Sequence, residues 1–187
     1  MSSVVISGNT SGAITLSAPD VSGTNTATLP AATGTVMVSG NMPTFSAYPS
    51  GTFVATSGGF TLMPCDGEEW DTNSFFNNTN ATVNSIPAYS FRPNVAGYYQ
   101  VNASFDLSSG TTFTRAICAI YKNGTGYKFG IDNNGTSATG SNASCLVYLN
   151  GSTDYIGCYV FMNGTGTLTI LNGPTYTYFQ ATLVRAA

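Results

Sequence analysis

The sequence predicts an all-β chain: an antiparallel sandwich of pleated sheets over residues 45–187, preceded by a β-rich arm over residues 1–44. Three observations carry this expectation. Apolar residues recur at every second position, with Tyr99, Val101, Ala103, Phe105 and Leu107 on one face of an extended segment and Tyr98, Gln100, Asn102, Ser104 and Asp106 on the other. Asn-Gly dipeptides supply the positive φ angles of tight hairpin turns, and they recur at Asn123, Asn134, Asn150, Asn163 and Asn172. Proline is missing from Asn94 through Gly173, although the chain has 8. Because proline cannot sit in a central strand, this interval is the expected sheet-forming part.

Taken in chain order, the arm comes first. Val4-Val5-Ile6, Gly8 through Gly12 and Ala13-Ile14-Thr15-Leu16 read as strand, turn and strand, and short apolar beats continue through Thr28-Leu29-Pro30 and Thr35-Val36-Met37-Val38. Residues 1–44 are too few and too polar to build a core alone. They are expected to anchor on a partner surface or to thread between copies of the chain. Next come Asp66, Glu68, Glu69 and Asp71 beside Trp70, half of the chain's 8 acids. Hard cations take several oxygen ligands, so this cluster is a candidate calcium site; the alternative is a solvated acidic loop after Pro64. The polar connection from Phe75 to Phe91, with Asn73, Asn78 and Asn80, is the candidate recognition loop.

Two later segments break the pattern of one wet face. Ala116 to Tyr121 sets Ile117, Ala119 and Tyr121 against Ala116, Cys118 and Ile120, and Tyr155 to Phe161 sets Tyr155, Gly157, Tyr159 and Phe161 against Ile156, Cys158 and Val160. An antiparallel strand apolar on both faces needs a second cover, because the other sheet of a sandwich covers only one. Either another subunit supplies it or a loop of the same chain lies over the sheet. The first choice makes Ile117, Ala119, Tyr121, Tyr155, Tyr159 and Phe161 the contact between copies.

Composition excludes most chemistry. Lys and Arg number 5 and Asp and Glu 8, so charged residues are 7 % of the chain, against about 25 % in typical domains. So few cations leave no phosphate-tracking footprint, and no nucleic acid partner is expected. There is no histidine, which removes the Ser-His-Asp triad, the Cys-His pair and His-containing zinc sites. A carboxylate pair such as Glu69 and Asp71 is the hydrolytic chemistry left. The long repeats that usually carry such enzymes are missing, so no enzyme is expected. Cys65, Cys118, Cys145 and Cys158 form no C-x-x-C pair and read as buried thiols, with a disulfide as the alternative. The N-terminus lacks the basic and apolar regions of a signal peptide, and no segment approaches the ~18 apolar residues of a membrane-spanning helix.

The run Trp70-Asp71-Thr72-Asn73-Ser74-Phe75, followed by Phe91-Arg92-Pro93-Asn94-Val95-Ala96-Gly97-Tyr98-Tyr99-Gln100-Val101, resembles the globular head of complement component one, subcomponent q, and the wider complement/tumour-necrosis-factor superfamily. Phe91, Gly97, Tyr99 and Val101 match the family pattern in register. Ile120-Tyr121-Lys122-Asn123-Gly124 is similar to its central strand and turn, and Tyr178 through Arg185, with Phe179 and Leu183, to its closing strand. The interval from Phe75 to Phe91 is longer than in the complement proteins, as in the bacteriophage branch, and Ala181 stands where the family usually has glycine. The arm is similar to low-complexity segments of phage fibre and virion-decoration proteins. The resemblance implies a ten-stranded antiparallel jelly roll that forms a homotrimer. It also implies a non-enzymatic protein at a phage virion surface, a capsid decoration or cement knob or short fibre. The arm would meet capsid or fibre-base proteins. The alternative is a tail adhesin that recognises host surface glycans.

Overall fold

A computed structural model describes residues 3–21, 23–28, 31, 33, 36–134 and 140–187. The chain divides into two compact units, 1–34 and 35–187. The second begins before residue 45 because Met37 already packs on the core and the Pro43 carbonyl accepts the Leu183 N–H at 3.0 Å.

The first unit holds a hairpin of β1 (Ser3–Ser7) and β2 (Ala13–Ser17), with Val4 opposite Leu16 and Ile6 opposite Ile14. Side chains alternate across a strand, so these four aliphatics share one face. They are 54–67 % exposed. A lone two-stranded hairpin is marginal in water, so this face stabilises little until something covers it.

The second unit is built from β3 (Thr44–Tyr48), β4 (Phe53–Val54), β5 (Gly59–Leu62), β6 (Gly67–Asp71), β7 (Phe76–Asn77), β8 (Ser90–Phe91), β9 (Ala96–Phe105), β10 (Thr112–Lys122), β11 (Thr125–Asn133), β12 (Ser141–Asn150), β13 (Ile156–Thr165), β14 (Thr169–Ile170) and β15 (Tyr178–Ala186). Two five-stranded sheets face each other, the first in the order β11-β10-β13-β8-β7 and the second in the order β12-β9-β15-β3-β6. Every strand pair in them is antiparallel. This is the ten-stranded jelly roll that the resemblance implied.

The core forms where the period-two pattern put it. Tyr99, Val101, Ala103 and Phe105 are buried, while Tyr98, Gln100, Asn102 and Ser104 face outward. Phe45 anchors the aromatic centre, its ring centroid 4.5 Å from Phe91, 4.7 Å from Phe76 and 5.0 Å from Phe179. Each fully buried ring contributes about 1.5–3 kcal/mol over exposure. Tyr99 buries its ring and donates its hydroxyl to the Val95 carbonyl at 2.7 Å, and burial lifts its pKa. Gly97 has a steric reason: a Cβ there would lie 2.4 Å from the Arg185 carbonyl oxygen.

Asn-Gly behaves less uniformly than the sequence suggests. Asn123 and Gly124, at φ 53° and 75°, make the two-residue turn between β10 and β11. Asn163 and Gly164 instead lie inside β13, with Gly164 paired to Phe113. A permissive dipeptide allows a turn without forcing one. Asn150 opens the connection to β13, its side-chain oxygen accepting the N–H groups of Ser152, Thr153 and Asp154. Gly173 turns at φ 91°. The residue after Asn134 lies outside the described residues.

Candidate functional site

The two sheets have different outer faces. On the first sheet, β10 and β13 pair with Ala119 opposite Tyr159 and Ile117 opposite Phe161. Here the six residues expected to meet another subunit find much of their cover inside one copy. Ala119 and Ile117 are 0 % and 6 % exposed, while Tyr121, Tyr155, Tyr159 and Phe161 are half-buried. Tyr121 and Tyr159 stack at 4.0 Å, and burial raises both hydroxyl pKa values. The cover is Phe60 of β5, whose ring centroid lies 5.2 Å from Phe161, 5.5 Å from Tyr121 and 5.6 Å from Phe129. The Gly58 N–H donates to the Met162 carbonyl and the Met63 N–H to the Cys158 carbonyl, which holds β5 beside β13. Within one copy Phe60 thus supplies part of the second cover that these strands need, and Tyr121, Tyr155, Tyr159 and Phe161 keep part of their surface open.

Beside this ring cluster, Arg115 donates from Nε to both oxygens of Asp132 at 3.0 Å and from Nη2 to Oδ2 at 2.8 Å. The hydrogen bonds from Arg115 hold the Asp132 carboxyl below the usual carboxylate range, and Asp132 raises the Arg115 pKa. The Arg115 guanidinium carbon lies 5.3 Å from the Phe161 ring centroid.

The outer face of the second sheet is polar at its centre. Gln100 Nε2 donates to Ser144 Oγ, which donates to Asn102 Oδ1, both at 2.8 Å. Towards one end the face turns apolar: Tyr98 and Tyr148 sit opposite each other with rings 5.5 Å apart, and Leu146 and Val184 are 55 % and 59 % exposed. Trp70 is 47 % exposed on β6. Tyr98 and Tyr148 are 45 % and 41 % exposed, and Lys122 Nζ lies 5.8 Å from the Tyr148 ring centroid.

The proposed calcium ligands do not converge, and among the described residues no three acidic or thiol groups gather to hold a metal. Three of the four carboxylates bind groups on different segments of the chain. Asp66 accepts the Ser50 N–H at 2.7 Å and the Ser50 hydroxyl at 2.8 Å, and the Ser50 N–H bond draws its pKa down. Glu69 accepts the Ser46 hydroxyl at 2.8 Å. Asp71 Oδ2 accepts the Phe76 N–H at 2.8 Å while Oδ1 is buried without a partner, and burial pushes the pKa up. Burial also raises the Glu68 pKa.

The recognition-loop residues are likewise scattered. Asn73 sits exposed at φ 73°, Asn80 is exposed and Asn78 half-buried. A cavity of about 250 Å³ against this loop is lined by Phe75, Asn84, Ile86 and Arg92, and by none of the three asparagines. The residue that organises the loop is Asn77, which the sequence reading passed over. Its buried Nδ2 donates to the carbonyls of Ala81, Ile86 and Pro87 at 2.7–3.0 Å, and its Oδ1 accepts the Thr79 N–H. Arg92 completes the clamp, donating to the carbonyls of Ser85 and Asn84 at 3.0 and 2.7 Å. An asparagine beside a phenylalanine in a run of polar residues carries no signal that distinguishes it from its neighbours.

The four cysteines are free thiols; Cys65, Cys118 and Cys158 are buried and Cys145 is half-buried. Burial pushes Cys145 up to about 11 and raises Cys65 and Cys158 as well, so none of these three is a thiolate nucleophile at neutral pH.

No family model and no curated protein matches the sequence. Solved structures do match in fold. Murine APRIL at pH 5.0 superposes with a TM-score of 0.53 at 11 % identity, over 76 % of this chain and 99 % of that one. Eiger TNF from S. frugiperda gives 0.53 at 11 % identity, over 78 % and 93 %. PRD1 vertex protein P5 gives 0.54 at 14 % identity, over 76 % and 97 %. At these identities the likeness establishes the fold: the chain carries a tumour-necrosis-factor-type jelly roll, as APRIL, Eiger TNF and the PRD1 vertex protein do.

Proposed function

We propose that this chain is a non-enzymatic structural protein of a bacteriophage virion, a homotrimeric surface knob attached through its N-terminal arm. The observation that carries this reading is the bare apolar hairpin face of Val4, Ile6, Ile14 and Leu16. It stands on a chain whose other unit has the fold of a vertex protein. A vertex is a position on a closed shell, and a shell protein needs an attachment surface as well as an outward domain. The hairpin supplies such a surface. It carries no charged side chain, so its partner on the capsid or fibre base is apolar rather than oppositely charged.

Within this reading the copies meet through the second sheet, where Tyr98, Leu146, Tyr148 and Val184 lie uncovered. On the first sheet Phe60 already packs over part of the apolar outer face, against Tyr121 and Phe161. Burying exposed rings and aliphatics between copies is favourable at about 25 cal/mol per Å² of apolar surface. The test is deletion of residues 1–34. The remaining chain is expected to fold and associate as before yet fail to join particles in a complementation assay. Particles that incorporate the truncated chain normally would defeat the attachment role.

A further inference from the structure

We propose that the outer face of the first sheet carries a binding site for a neutral pyranose ring, seated against the wall formed by Phe60, Phe129 and Phe161 and hydrogen-bonded at its rim by Arg115 and Asp132. The groove holds about 270 Å³ and these five residues line it together with Ile117. That is just under the roughly 300–1,000 Å³ of drug-sized ligand sites, room for a single sugar ring. Its walls are inclined rather than stacked: Phe60 meets Phe161 at 55° with centroids 5.2 Å apart and Phe129 at 58° with centroids 5.6 Å apart, so the three rings touch and form one faceted apolar wall beside the groove. The C–H face of a pyranose is a flat apolar surface of matching kind.

The rim supplies the other half of sugar chemistry. Adjacent hydroxyls must each donate and accept, and a guanidinium beside a carboxylate offers donors and acceptors at one place. Arg115 meets Asp132 through Nε and Nη2, so Nη1 stays out of the pair. The two side chains are 47 % and 41 % exposed, within reach of a ligand from solvent. Their charges cancel, which selects a neutral ligand: an anion would compete with Asp132 for Arg115, and a cation with Arg115 for Asp132. Phe60 and Phe129 are 37 % and 55 % exposed, so the ring faces are available as well. The site differs from the Asn73, Asn78 and Asn80 loop, which brings no such walls together. It rests on the knob reading only in that the trimer leaves the first sheet's outer face open.

The test uses the full chain and saturation-transfer NMR with four probes: methyl glucopyranoside, methyl mannopyranoside, methyl galactopyranoside and N-acetylglucosamine. Glucuronate serves as the charged comparison. At least one neutral sugar is expected to bind with a dissociation constant on the order of 1 mM, as small ligands of this size do, and more tightly than glucuronate. Phe129→Ala and Asp132→Asn should each weaken it about tenfold or more, while Phe129→Tyr keeps binding and shows that the wall, not the fold, was removed. Binding of none of the neutral sugars, a preference for glucuronate, or unchanged binding by Phe129→Ala would each overturn the site. Particle mass measured on the same samples separates the two proposals. A single-copy protein that binds sugar defeats the trimer and keeps the site, and a trimer that binds none does the reverse.

Discussion

The outer faces of the two sheets meet one problem in opposite ways. The first is apolar in sequence and is partly dressed by its own chain: the Phe60 ring packs on Tyr121 of β10 and Phe161 of β13, while Phe60 and Phe129 stay 37 % and 55 % exposed. The second is polar in sequence across Gln100, Asn102 and Ser144, yet leaves four large apolar side chains bare at one end. The amount of apolar surface a strand carries therefore does not say how much of it stays open. What decides is whether another part of the chain can reach it.

This contrast can be broken from either side. The largest effect is expected at the bare patch: combined Tyr98→Asp and Leu146→Asp should separate the copies in light scattering while leaving each copy folded by circular dichroism, because both side chains are exposed in the single copy. An intact assembly would show that the copies meet elsewhere. On the dressed face, Phe60→Ala should lower unfolding free energy by about 2 kcal/mol, less than a full core ring because Phe60 is partly exposed, and leave association unchanged. Dissociation by Phe60→Ala would place the subunit contact on the first sheet after all.

A smaller effect sharpens the second sheet's edge. Burial raises the Asp71 pKa above its ordinary 3.8, so the folded chain holds a proton there that the unfolded chain has released. Stability from this group is thus greatest below pH 4 and falls as pH rises through the raised value. Asp71→Asn should remove that decline and stabilise the protein slightly at neutral pH, with Asn able to keep the bond from the Phe76 N–H. Chemical denaturation of both proteins from pH 4 to 7 reads the difference, and parallel curves would remove Asp71 as its source.

Much of the head was legible because local pattern and tertiary outcome agree. The alternation from Tyr98 to Phe105 became β9 with its inner residues buried, and Phe91, Gly97, Tyr99, Val101, Phe179 and Leu183 all fell at packed positions. The site was less legible. Phe60 belongs to the short segment Gly59–Leu62, too brief to show a period, and it acts on strands far along the chain. Arg115 and Asp132 meet only because β10 and β11 pair with Ile117 opposite Asp132 across a register shift. The acidic cluster looked like a ligand set because four carboxylates are close in sequence. Along an extended strand, side chains diverge, and three of the four found partners on separate elements.

The claim on which the account turns is that the folded chain is completed by two further copies. Sedimentation velocity of the full chain tests it most directly. The expected result is one species at three times the chain mass, persisting at moderate salt because few charges stand to be screened. A well-folded species of a single chain, with Tyr98, Leu146, Tyr148 and Val184 open to solvent, would contradict it.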